Sequence, residues 1–152
     1  EETNFHHLAS DVSHKNLFYL YAFGMKTLNI WTLSDNGNNL WNINIENLFR
    51  RHEHEAGDIQ IFRVIGQEIV EGVKNTDKII NLIVQVVSKQ NESAKSYFSL
   101  YYIIRLHVDL QVQNYEVYSI AKILEPKAYT QQEDEVKCLV CSNEGSTTYV
   151  FL

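Results

Sequence analysis

The chain has 152 residues and a mass of 17.7 kDa, enough for one domain with a full-sized hydrophobic core. Hydrophobic residues make up 45% of it, which is not the composition of a disordered chain. A net charge of −6 at pH 7 argues against a protein that coats duplex DNA with a basic surface. No apolar run is long enough to span a membrane. Because Met25 is the only methionine, we expect a fragment or a processed form.

The N-terminal part mixes a polar leader with an aromatic segment. Residues 1–16 are polar and weakly patterned, so we expect an arm or a flexible leader. Residues 17–33 are apolar and aromatic with Gly24 inside, which predicts either one bent strand or a short hairpin. The Asn36-Gly37 pair that follows predicts a turn.

A short helix is predicted within residues 42–55. Asn44 is a suitable N-cap, because its side chain can accept a hydrogen bond from a free backbone N–H. Ile45, Leu48 and Phe49 then fall on one helical face.

After Gly57 the pattern changes to strands joined by short turns, which predicts a mainly β, antiparallel fold. Gly66 lies at the centre of the first strand, where a straight strand would be weakened. Glycine can allow a sharp bend, and a small barrel needs such a bend where one strand takes part in two sheets. The predicted strands are 58–73, 78–89, 96–106, 115–129, 136–142 and 147–152.

Two stretches resemble the oligonucleotide/oligosaccharide-binding (OB) domains of the replication protein A and telomeric CST families. The text "FRVIGQEIVEGV" (62–73) resembles their first strand, and "VQNYEVYSIAKILEP" (112–126) resembles their fourth. The resemblance covers residues 58–142. It implies a five-stranded antiparallel OB-like barrel over 58–152, with 1–57 as an N-terminal arm, strand and short peripheral helix packed on the barrel. The usual turn between strands two and three and the usual helix after strand three are not recognisable.

The resemblance implies an accessory subunit of a telomeric or replication single-strand-DNA-binding complex in the nucleus. Such a subunit would work mainly as a protein–protein scaffold within a hetero-oligomer of OB-fold chains, with weak contact to single-stranded DNA and no membrane association. In the barrel, strands two and three form the binding face, where tyrosines stack on bases and cations contact phosphates. Alternation places six candidate side chains on that face: Asn81, Gln85, Lys89, Tyr97, Tyr101 and Arg105.

The same face also carries Ile83, Val87 and Ile103. Apolar side chains there favour a different interpretation, in which another protein or the N-terminal segment covers the face. Tyrosine is also common on half-buried sheets that bind nothing.

No catalytic, phosphate-binding or dinucleotide motif occurs, so we expect a protein that is not an enzyme and needs no cofactor. His52, His54, Cys138 and Cys141 could in principle supply four zinc ligands. An HxH pair at a helix end points its imidazoles apart, so no metal site is predicted. Two buried thiols are the favoured interpretation of the CxxC pair.

Two other classes remain open. The segment "QVVSK" (85–89) faintly resembles the inhibitory hairpin of cystatins, although that loop needs a glycine and a long preceding helix. The segment "MKTLNIWTL" (25–33) resembles a blade strand of a β-propeller, as in nucleoporins. An isolated propeller fragment would leave its core exposed, so the barrel is preferred.

Overall fold

Antiparallel β-strands account for most of the computed structural model of the chain. The first strands are β1 (Phe5–His14), β2 (Leu17–Gly24), β3 (Thr27–Ser34) and β4 (Gly37–Asn44), followed by the helix α1 (Ile45–His52). The later strands are β5 (Asp58–Glu71), β6 (Asp77–Lys89), β7 (Phe98–Asp109), β8 (Asn114–Lys122), β9 (Lys127–Ala128), β10 (Leu139–Asn143) and β11 (Thr147–Phe151). The structure describes residues 5–14, 17–35, 37–74, 76–89, 96–123, 127–128, 139–143 and 147–151.

The first sheet is a meander in which β1, β2, β3 and β4 pair in chain order. Of the two arrangements predicted for residues 17–33, the hairpin is the one observed, with β2 and β3 on either side of Met25. The turn before β4 uses Gly37 at a φ of 125°, a conformation that side chains with a Cβ rarely adopt. The Ser34 hydroxyl donates a hydrogen bond of 2.9 Å to the Gly37 carbonyl and closes this turn.

Helix α1 connects the first sheet to the second. The Asn44 side chain accepts a hydrogen bond of 2.8 Å from the Asn47 N–H, which confirms the predicted N-cap. Ile45, Leu48 and Phe49 are buried on one face, also as predicted. The Phe49 ring reaches the second sheet and contacts Tyr102 at a centroid distance of 5.0 Å.

The second sheet is another meander, in which β5, β6, β7 and β8 pair in chain order and the two-residue β9 pairs with β7. The predicted irregularity at Gly66 is present. Val64 pairs with Val84 and Gly66 pairs with Ile83, so Ile65 is an extra residue that forms a β-bulge. Beside the bulge, the Val64 N–H donates a hydrogen bond of 2.7 Å to the Met25 carbonyl of the first sheet.

One hydrophobic core joins the two sheets and the helix. The first sheet contributes Tyr21 and Phe23 to this core, and the second sheet contributes Leu82, Val84 and Ile104. All five side chains are at most 1% exposed. These residues alternate along their strands, because successive side chains of a strand point to opposite faces. Burial of this many large apolar side chains is the main source of stability for the sheet pair.

The described strands do not form the predicted five-stranded barrel. The fold is mainly β and antiparallel, as predicted, but no described pairing joins β5 to β8 to close the second sheet. The bulge at Gly66 therefore distorts a strand in an open sheet. The two strands after β9 form a separate hairpin of β10 and β11, and β10 lies beside β5.

Two strands lie where the sequence predicted none. Residues 5–14 form β1 instead of a flexible leader, and 37–44 form β4. Both segments are polar, and asparagine has a low strand propensity. These segments become strands because they pair with β2 and β3, and such pairing cannot be predicted from local strand propensity. Of the predicted strand 136–142, residues 136–138 lie outside the described part of the chain.

Candidate functional site

Five of the six candidate residues lie on one face of β6 and β7, and the sixth, Tyr97, directly precedes β7. Asn81 pairs with Arg105, and Gln85 pairs with Tyr101 in the antiparallel register. At the end of the two strands, the Lys89 ammonium lies 5.0 Å from the centre of the Tyr97 ring, within the range of a cation–π contact.

Hydrogen bonds connect the polar members of this face. The Arg105 Nε–H donates to Asn81 Oδ1 over 2.9 Å, and Asn81 Nδ2 donates to the Glu68 carboxylate over 3.0 Å. Gln85 Nε2 lies 3.3 Å from the Ser99 hydroxyl and 3.4 Å from the Tyr101 hydroxyl, and it donates to both oxygens. The side chains therefore satisfy one another within the sheet.

Burial divides the six residues into two groups. Asn81, Gln85 and Tyr101 are at most 5% exposed, so their polar groups are already engaged inside the protein. Lys89, Tyr97 and Arg105 are half-buried and lie closer to the surface. A nucleic acid that stacked on Tyr101 would first have to displace whatever covers this face. The half-buried group presents only one aromatic ring, on Tyr97.

Strand β6 is buried on both faces. Ile80 and Leu82 face the core between the two sheets, while Asn81 and Ile83 face the other side; all four are at most 1% exposed. An antiparallel sheet commonly leaves one face in water, so burial of both faces shows that this sheet is packed on two sides.

An apolar row crosses the outer face of the first sheet, the face directed away from the second sheet. Leu20 pairs with Trp31, and Trp31 pairs with Leu40, so the three side chains lie next to one another on β2, β3 and β4. Leu20 and Trp31 are half-buried, and Leu40 is 52% exposed. We call these three residues the outer apolar row. Aromatic side chains are enriched at the centre of protein interfaces.

A cleft of about 460 Å³ opens where the connection from α1 to β5 passes the ends of β6, β7 and β8. Glu53 and Glu55 contribute carboxylates to its wall, and Lys122 contributes an ammonium group. The apolar part of its wall is formed by Phe98, Leu100 and Tyr102. The Glu53 carboxylate also accepts a hydrogen bond of 2.8 Å from the Glu55 N–H, which orders this short connection.

Tyr102 is a titratable group in the wall of the cleft. Its burial, with smaller contributions from the negative charges of Glu53 and Glu55, raises the pKa of Tyr102 to about 12. The phenol therefore stays neutral well above physiological pH. From the sequence, alternation along β7 places Tyr102 with Leu100 and Ile104, on the face opposite to Tyr101, and indicates nothing more. The signal that it missed is the pair of glutamates after α1, which approaches Tyr102 only in the folded chain.

Of the four residues that could supply zinc ligands, the structure describes the backbone of His52, His54 and Cys141. His52 ends α1, His54 lies two residues beyond, and Cys138 is outside the described residues. Where the structure describes the chain, no group of three or more His, Cys, Asp or Glu side chains is arranged to hold a metal ion.

The eight-residue α1 is too short to traverse a bilayer, and the described residues hold no other helix that could do so. Neither a protein-family model nor a curated protein matches the chain in sequence. Its function is therefore inferred from its own geometry.

Proposed function

We propose that the chain is a protein-interaction module of the β-propeller type, in which the β1–β4 and β5–β8 sheets are successive blades, and that it binds partners instead of catalysing a reaction. One observation carries this proposal: two four-stranded antiparallel meanders follow each other in the chain and pack face to face on one core. Repeated four-stranded sheets stacked around an axis are the architecture of propellers.

The burial of β6 supports the blade assignment. A blade that lies between two others is covered on both faces, and Ile80 and Ile83, on opposite faces of β6, are both fully buried. The hairpin of β10 and β11 approaches the second sheet beside its edge strand β5. The cystatin-like alternative has less support, because it requires a long helix and α1 has eight residues.

The outer apolar row is the proposed partner surface. The opposite face of the same sheet already packs on a sheet through Tyr21, Phe23 and Ile30, so this architecture buries apolar faces against other strands. We propose that a partner protein covers Leu20, Trp31 and Leu40 in the same manner. Large apolar and aromatic side chains at the centre of an interface supply most of its binding energy.

The telomeric and nuclear assignment stays a prediction. It came from a resemblance to OB domains, and the closed barrel on which it depended is not formed by the described strands. The scaffold role within that assignment agrees with a protein-interaction module. Binding of single-stranded DNA, in contrast, requires the β6–β7 face to be accessible.

A partner-binding experiment tests the proposal. Proteins that cross-link to the purified chain in a cell extract are identified by mass spectrometry, and the partner is then purified for titration. We expect Leu40→Lys to weaken its binding at least about tenfold, since the substitution places a charge in an apolar contact. Val112→Lys is the matched control, because Val112 is an exposed apolar residue in the turn after β7.

Equal affinities of the wild-type and Leu40→Lys chains would assign the partner to another surface. If no protein cross-links to the first sheet, the proposed role of the outer apolar row is wrong.

A further inference from the structure

The cleft beside the α1–β5 connection combines negative charge with aromatic surface. Glu53 and Glu55 supply two carboxylates against the single ammonium of Lys122, so the wall carries an excess of negative charge. Phe98 and Tyr102 line the same cavity with aromatic rings. A cavity of about 460 Å³ has room for one long side chain of a partner, but it is at the small end of drug-sized sites.

The Tyr102 side chain provides a second and independent indication of a ligand. Tyr102 is only 4% exposed and lines the cleft, yet its hydroxyl makes no hydrogen bond to any described residue. The hydroxyl oxygen is not one of the buried side-chain atoms that lack a partner, so it is accessible to a ligand that enters the cleft. The neighbouring Tyr101, in contrast, uses its hydroxyl within the sheet.

We propose that the cleft binds the side chain of an arginine from a protein partner. This inference rests on the interaction role proposed above and specifies the chemistry of one contact. The carboxylates of Glu53 and Glu55 accept hydrogen bonds from the guanidinium group, and the Tyr102 oxygen accepts another. The guanidinium plane stacks against an aromatic wall, which favours arginine over the more strongly hydrated ammonium of lysine.

The α1–β5 connection places the two carboxylates at the cleft. The Glu53 backbone N–H donates a hydrogen bond of 2.8 Å to the Phe49 carbonyl at the end of α1, and its side chain holds the Glu55 N–H. Phe49 is itself fixed in the core against Phe62 and Tyr102. The acidic wall is therefore anchored to the same aromatic cluster that carries the proposed acceptor.

Nuclear magnetic resonance titration of the purified chain tests this inference. The probe is the tripeptide acetyl-Gly-Arg-Gly-amide, and the same peptide with citrulline replacing arginine is the neutral control of similar shape. We expect saturable shifts of the amide signals of residues 53–57, Ser88 and 98–102 with the arginine peptide. The citrulline peptide should bind at least about tenfold more weakly, because it lacks the charge that the carboxylates recognise.

Amino-acid substitutions distinguish binding at the cleft from nonspecific attraction of the peptide to the acidic protein. Glu53→Gln combined with Glu55→Gln should weaken binding of the arginine peptide at least about tenfold. Asp35→Asn combined with Glu116→Gln removes the same charge from two exposed positions outside the cleft wall and should leave the affinity within twofold. Tyr102→Phe should weaken binding severalfold while the chain remains folded, since it removes only the hydroxyl.

Three results would overturn the inference: no shift at the cleft, equal binding of the arginine and citrulline peptides, or equal losses from the two double substitutions. These results concern the cleft alone. The cross-linking and Leu40→Lys experiment tests the interaction module separately, so a failure of one can be distinguished from a failure of the other.

Discussion

Trp41 on the last strand of the first sheet packs against Tyr115 on the last strand of the second, with ring centroids 6.2 Å apart and planes tilted by 33°. Both residues border the shared core without being part of its fully buried centre. This contact closes the gap between the two sheets at the edge where β4 and β8 have no described strand beside them.

A double-mutant cycle on Trp41→Ala and Tyr115→Ala should give a coupling of about 1 kcal/mol, since paired aromatic rings contribute beyond the area that they bury. The free energies of unfolding come from urea titrations. Leu40→Ala, on the opposite face of β4, should couple to Tyr115→Ala by less than about 0.5 kcal/mol. Equal couplings for the two pairs would show that the ring contact does not join the sheets.

Gly72→Ala should destabilise the protein by about 1–3 kcal/mol, because the turn has no room for the added Cβ and must distort to accept it. A Cβ on Gly72 would lie 2.7 Å from the Asp77 carbonyl oxygen and equally close to the Asp77 Cβ. The Gly72 N–H donates to that same carbonyl over 2.9 Å, so the two segments cannot separate without breaking the turn.

Thermal unfolding measures the effect, and the adjacent Val73→Ala is the control. Val73 is fully exposed, and its substitution should change stability by less than about 0.5 kcal/mol. A Gly72→Ala protein as stable as the wild type would mean that the turn between β5 and β6 is more open than the structure shows.

Asn81→Ala should cost about 2 kcal/mol of unfolding free energy, because Asn81 is 1% exposed and bridges Glu68 and Arg105. The exposed Asn38→Ala on β4 is the matched control and should be close to neutral. Urea titration of both variants gives the comparison. A neutral Asn81→Ala would indicate that water replaces the bridge at no cost.

Single-strand DNA binding can be tested with two tyrosines that differ in burial. Tyr101 is 5% exposed and contacts Gln85, so Tyr101→Ala should lower stability whether or not DNA binds. Tyr97 is half-buried, and Tyr97→Ala should leave the fold intact. If the DNA prediction is correct, fluorescence anisotropy with a short labelled oligonucleotide should show binding that Tyr97→Ala weakens by about 1–3 kcal/mol. No binding by the folded wild-type chain would refute the prediction.

Ionisation of Tyr102 should be delayed to high pH, because its pKa is raised to about 12 by burial and by the nearby glutamates. A raised pKa means that the folded state retains the proton when the unfolded state, with a pKa of about 10, has lost it. The contribution of Tyr102 to stability is therefore complete below about pH 10 and decreases as the pH rises toward 12.

Absorbance titration of tyrosinate measures this ionisation, with Tyr102→Phe identifying the late component. In the Glu53→Gln and Glu55→Gln protein the late component should move to lower pH but remain delayed, since burial is the larger cause. An unchanged titration in Tyr102→Phe would assign the late component to another tyrosine.

Much of the second sheet could be predicted from its alternation. Alternation along β6 puts Ile80, Leu82, Val84 and Val86 on the face opposite to Asn81 and Gln85, and all four lie in the core. The helix was predicted within three residues at each end, because the Asn44 cap and the apolar face are local signals. The barrel was wrong because a mid-strand glycine indicates a bulge but does not specify which strands pair around it.

The candidate site was harder to predict for a related reason. Alternation correctly grouped Asn81, Gln85 and Tyr101 on one face, but it could not show that this face is buried, because burial depends on what packs over it. The cleft brings Glu53 and Glu55 to Tyr102 across a separation of almost fifty residues. No local pattern connects groups that are so distant in the chain.

The sequence by itself determined the strand-rich composition, the side-chain alternation of β5 to β7 and the capped helix, since each depends on neighbours within a few residues. Only the tertiary structure decided that polar segments such as β1 and β4 become strands, that two open sheets form instead of a barrel, and that both faces of β6 are covered. Those outcomes depend on backbone pairing and apolar burial between distant segments, which compete across the whole chain.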